Sequence, residues 1–107
     1  MSLRTASIAE QDIVDAATWV DQQQRGKGST FLNEVRETAA AIVQAPLACP
    51  TLLFGQTVFK SPLRWRSVGH FPYVAIFTYE QGEVLIVGVL HNRRDLETIL
   101  RARVGTI

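Results

Sequence analysis

The spacing of apolar residues changes once along this chain, and that change constrains the fold more than any other feature. From Ala9 to Val43 hydrophobic side chains recur at helical spacing, and from Trp65 to Leu90 they alternate or run together as in strands. The crossing falls in residues 46–62, where Pro46, Pro50, Gly55 and Pro62 mark a connecting segment with room for one short extended piece at Thr57–Lys60. Helices followed by a meander of strands is the order of an α+β domain. A chain of 107 residues has room for one core, so residues 1–107 are read as a single domain.

The local signals fill in this outline. Leu3 to Ile8 predicts a short first strand that ends where a helix starts, with Ser7 and Glu10 spaced as a capping box. Ala9, Ile13, Ala16, Ala17 and Val20 form the helix's apolar face, and Gly26 and Gly28 break the pattern. Ser29 or Thr30 can cap a second helix with a stripe from Phe31 to Val43, which Pro46 stops. Two amphipathic helices joined by so short a turn form a helical hairpin. Three strands follow, around Arg64–Val68, Tyr73–Tyr79 and Glu83–Leu90, with Gln81-Gly82 as a two-residue turn between the last two. Trp65 points away from the face that Arg64 and Arg66 share. The last two strands are apolar on both faces, which predicts helices on one and a waiting partner on the other. Asp95 caps a short final helix carrying Leu96, Ile99 and Leu100.

Composition narrows the class of protein. Apolar residues make up 47% of the chain and charged residues 20%, too apolar for disorder. The apolar run at Val84 to Leu90 is far short of the roughly 20 residues of a membrane span. Arg4 with no apolar run behind it gives no secretory signal, and the single Cys49 suits a reducing cytoplasm. Residues 1–55 hold four basic and six acidic groups, whereas residues 56–107 hold seven and four. Six of those seven are arginine, whose planar fork suits phosphate and carboxylate.

Few residues are spaced for chemistry. Arg25 to Thr30 resembles a phosphate-binding loop only faintly: Gly28 follows Lys27 where Ser or Thr is required, and Asp21 stands at the first glycine. His70 and His91 lack metal-ligand spacing and Cys49 has no partner cysteine, so neither metal nor cofactor is expected. The densest stretch is His91-Asn92-Arg93-Arg94-Asp95, at the exit of the last strand. It can grip a phosphate backbone or an acidic protein segment. Equally, Asp95 can cap the last helix while the arginines form ordinary surface pairs.

Several segments together resemble the RelE/ParE toxin family of bacterial type II toxin–antitoxin modules. They are Ala9-Glu10-Gln11-Asp12-Ile13, Phe31-Leu32-Asn33-Glu34-Val35, Pro46, Arg66 with Phe71-Pro72-Tyr73, and Val89-Leu90-His91-Asn92-Arg93-Arg94-Asp95. The last two are the most specific and point to the ParE-like, plasmid-stabilisation branch. The resemblance implies a helical hairpin on a twisted antiparallel sheet of three or four strands, with a short C-terminal helix. It also implies a cytoplasmic toxin neutralised by a cognate antitoxin in a hetero-oligomer, the antitoxin laying a helix on the hairpin and a strand on the sheet edge.

Two activities divide this family. RelE-like members cleave mRNA on the ribosome, using Lys and Arg on the strand before the tyrosine, an arginine after it and a C-terminal tyrosine. Here Arg64 and Arg66 can stand at the first positions, but Val74 follows Tyr73 and no tyrosine occurs after Tyr79. His91 keeps a nuclease reading open beside them. ParE-like members poison DNA gyrase by binding. The resemblance therefore implies a gyrase inhibitor whose target contacts are Arg64, Arg66, His91, Arg93 and Arg94. Trp19 and Phe31 are read first as packing the hairpin, and as the minority reading they are the candidate antitoxin contacts. A third reading is a relic that binds antitoxin without toxicity.

Overall fold

A computed structural model describes residues 2–52 and 61–105. The chain runs through strand β1 (Ser2–Thr5), helices α1 (Ser7–Gln23) and α2 (Lys27–Gln44), and a 3-10 turn at Pro46–Ala48. It continues through β2 (Arg64–Ser67), β3 (Tyr73–Glu80), β4 (Glu83–His91) and α3 (Leu96–Ala102). The strands form one sheet in the order β1-β4-β3-β2. The meander β2-β3-β4 is antiparallel, while β1 pairs in parallel with Glu83–Ile86, so the sheet is mixed. The piece expected at Thr57–Lys60 lies outside the described residues.

The start of α1 differs from the capping-box reading. Ala6 donates its N–H to Ile86 O at 2.9 Å, which holds the backbone extended there, and Ala6 becomes the N-cap without a side-chain bond. Ser7 is already helical, so its hydroxyl does not serve as the cap. The turn into α2 is also built otherwise than expected. The Asp21 carboxylate accepts the N–H groups of Gly26 and Gly28 at 2.9 and 3.1 Å. Those amides are the helix donors that an anion would need, so a side chain of α1 fills the place of a phosphate. Gly26 is the left-handed N-cap at φ +89°, displacing Ser29 and Thr30 from that role. Gly28 lies inside α2 because a Cβ there would meet Ala17 O at 2.9 Å.

Two cores sandwich the sheet. On one face, α1 and α2 pack Ala9, Ala16, Val20, Phe31 and Ile42 against Tyr73, Ala75, Phe77, Val84, Ile86 and Val89. On the other, Leu100 of α3 closes over Leu63, Val74, Ile76, Val87 and Leu90, with Leu96 and Ile99 beside it. The second apolar face is thus covered by the chain's own α3, which corrects the expectation of a face awaiting a partner. Gln81 and Gly82 both adopt positive φ, 52° and 77°, the pair of conformations a tight type I′ hairpin requires.

A bulge in β4 decides which way the strand's last residues face. Ile76 pairs with Gly88 but the next residue, Phe77, pairs with Ile86, which leaves Val87 as the extra residue. Val84 and Ile86 face the hairpin helices, Val87 faces α3, and Val89 faces the helices again. Strict alternation from Val84 would turn Leu90 toward α1 and His91 away. With the bulge, His91 ends on the helical side.

Candidate functional site

His91 closes β4 opposite Tyr73, the first residue of β3. Its ring lies edge-on to Trp19 of α1 and to Tyr73, with centroids 6.1 and 5.2 Å away. Beyond it the backbone turns tightly. Asn92 N–H donates to Pro72 O at 2.9 Å and Arg94 N–H to His91 O at 3.1 Å. Arg93 N–H donates to His91 Nδ1, also at 3.1 Å. At the far end, Asp95 accepts from the Thr98 hydroxyl at 2.7 Å and the Thr98 amide at 3.2 Å, which caps α3. Those two bonds, the hydroxyl's first, hold the Asp95 carboxyl below its ordinary value of 3.8.

The two arginines between these anchors are exposed, and neither pairs with a described residue. Arg94 flanks a cleft with Asp12, Asp15, Trp19, Tyr73 and His91. Its charge acts on Tyr73, whose phenol burial pushes above 10.0 while Arg94 pulls it partly back. The turn therefore displays two guanidinium groups on a backbone fixed at both ends.

Arg64 and Arg66 do not join them. Arg66 pairs with Ala75, which pairs with Val89, so two strand spacings of about 4.8 Å each separate the β2 and β4 backbones there. Arg66 is exposed in a different cleft, of about 450 Å³, with Glu34, Glu37 and Cys49. Arg64 is half-buried and gives an Nη1–H to Cys49 O at 2.7 Å, fastening β2 to the segment before it. The sequence could suggest one merged basic patch; in the structure Arg64 is tied to backbone and Arg66 faces Glu34 and Glu37 in a cleft of its own.

The two candidate antitoxin contacts also part company. Trp19 is 45% exposed, whereas Phe31 is fully buried, its ring 5.2 Å from that of Phe71 and 5.1 Å from that of Tyr73. Phe31 has no surface to offer a partner and belongs to the core.

One ion pair went unread in the sequence. Arg103, just past α3, makes a bidentate bridge to Asp12 of α1 at 2.6 and 2.8 Å. Arg103 Nη1 also donates to Val87 O at 3.1 Å, and Asp12 Oδ2 accepts from Val89 N–H at 3.1 Å. The pair occupies the edge of β4 where β1 has ended. A signal existed: Asp12 lies three residues after Ala9 and four before Ala16, on the buried stripe of α1. Among the described residues, no group of three His, Cys, Asp or Glu side chains is placed to hold a metal.

The chain thus folds as a hairpin of helices on an antiparallel meander, with an arginine turn at the exit of β4. Residues 3–96 match the family described as ParE toxin of type II toxin-antitoxin system, parDE. The chain belongs to the ParE toxin family. A comparison with individual curated proteins finds no match. As a ParE toxin it is the toxin half of a type II module, and such a module implies a cognate antitoxin. The matched span takes in the whole turn from His91 to Asp95 and stops short of Arg103, so the Asp12 bridge reaches beyond it. No helix among the described residues is long and apolar enough to cross a membrane.

Proposed function

We propose that this ParE toxin inhibits DNA gyrase by binding it, with Arg93 and Arg94 as the principal contacts and Arg66, backed by Arg64, as a second and separate one. The observation that carries this reading is the turn itself: two exposed guanidinium groups, unpaired among the described residues, on a backbone held at both ends. Their planar donors suit carboxylate and phosphate alike, the groups a protein–DNA machine presents. Binding without bond chemistry is favoured because Val74 follows Tyr73 where RelE-like members carry an arginine, and no tyrosine follows Tyr79 to complete an acid–base set. The antitoxin would cover the half-exposed Trp19 beside the turn. The module would serve plasmid stabilisation in the cytoplasm, where gyrase acts.

The test is a supercoiling assay on purified gyrase. The wild-type toxin is expected to block supercoiling, Arg93→Ala/Arg94→Ala to lose that block, and added antitoxin to relieve it. Codon-linked cuts in translated mRNA, with gyrase unaffected at stoichiometric toxin, would overturn the reading in favour of a ribosome-dependent nuclease. Normal growth on induction without antitoxin would favour a non-toxic relic.

A further inference from the structure

We infer that His91 is a positioning residue, one that sets the Arg93–Arg94 turn through its Nδ1 lone pair; this inference rests on the reading that those arginines meet the target. An imidazole can accept through Nδ1 only while that nitrogen carries no proton, so the bond uses the Nδ1 lone pair and leaves the Nε2 side of the ring to the solvent or a partner. A side-chain acceptor that takes the N–H two residues on is the geometry by which Asn and Asp shape Asx-turns. Here an imidazole stands in their place, and it brings something they lack. Its ring is wedged edge-on against Trp19 and Tyr73, so the acceptor is held by packing from α1 and β3 as well as by its own backbone. The bulge at Val87 matters for the same reason, since it turns His91 toward those rings.

Two substitutions separate the acceptor from the ring. His91→Phe keeps edge-on packing but offers no acceptor. His91→Asn loses the packing and puts a carbonyl oxygen near the position of Nδ1. The Arg93 amide reports the bond directly, by NMR exchange with water. Loss of one such bond is expected to speed that exchange about fivefold to tenfold in His91→Phe. In His91→Asn the rate should stay within about threefold of wild type. Gyrase inhibition should weaken in His91→Phe and be largely rescued in His91→Asn.

Wild-type exchange in His91→Phe, or equally fast exchange in both variants, would overturn the inference. So would altered exchange with inhibition intact in all three proteins, because the turn would then not govern the target contact. If the wild-type toxin fails to inhibit gyrase at all, the functional reading falls, while the exchange rates still decide whether His91 holds the turn.

Discussion

Arg103 and the Arg93–Arg94 pair carry the same side-chain group and meet opposite fates. The Arg103 side chain is 9% exposed, facing an Asp12 side chain at 11%, and its donors reach that carboxylate and the carbonyl of Val87. Arg93 and Arg94 point into solvent ten and nine positions earlier in the chain. The difference follows from the sheet. β1 is four residues long and its pairing with β4 ends at Ile86, so Val87 O and Val89 N–H would face an open edge. Asp12 and Arg103 supply the missing acceptor and donor, so this stretch of β4 offers no free backbone groups on which another chain could add a strand. At the exit turn the backbone groups are already satisfied locally, which leaves the guanidinium groups free for a partner. Arginine enrichment in the second half of the chain is thus two things at once: a closure and a display.

Breaking the closure should have the largest effect. Arg103→Met leaves the buried Asp12 carboxylate without its guanidinium partner and is expected to cost about 3–5 kcal/mol of unfolding free energy by urea titration. An apolar pair, Asp12→Leu with Arg103→Met, should recover part of that loss while leaving Val87 O and Val89 N–H unsatisfied. Breaking the display should do the reverse. Arg93→Ala/Arg94→Ala is expected to weaken target binding by about 2 kcal/mol or more, roughly thirtyfold, with stability within about 0.5 kcal/mol of wild type.

Smaller effects sharpen the contrast through pH. Because the Asp95 carboxyl is depressed, its contribution to the turn is present above the ordinary 3.8 and is lost as pH falls through the lower folded value. The Thr98 amide resonance should follow that loss, and Asp95→Asn should abolish the pH response. The Tyr73 phenol is raised, so its contribution is present below 10.0 and is lost as pH rises through the higher folded value. Arg94→Ala should move that titration further upward, read by phenolate absorbance. The smallest change belongs to Arg101–Glu97, a pair whose side chains are about half exposed; Arg101→Ala should alter stability by only about 0.3–0.5 kcal/mol.

What the sequence disclosed was whatever neighbouring residues decide. The helical spacing, the stop at Pro46, the turn at Gln81-Gly82 and the Asp95 cap all depend on contacts a few residues away, and each is found where the pattern put it. Pairings across the fold stayed hidden. Ser7 looks like a cap until Ile86 claims the backbone of Ala6. The side on which His91 emerges depends on one extra residue in β4, and no composition rule marks Val87 as that residue. Asp12 falls on the apolar stripe of α1, but its partner is a residue 91 positions away that no local pattern names. The arginine turn was legible as a charged stretch; its rigidity and its separation from Arg66 were not.

The parallel pairing of β1 has a consequence for when the molecule can come into being. Ser2 finds its partner only at Glu83, and the Asp12 latch waits for Arg103. At roughly 5–20 residues per second, a ribosome needs about 4–16 s to travel from Ser2 to its partner Glu83. Until then the leading segment has no neighbour to join and the edge of the last strand has no seal. Assembly of the sheet and its latch is therefore deferred until the ribosome has passed Arg103, and a truncated product that stops before the final helix lacks Thr98, the partner that holds the far end of its binding turn.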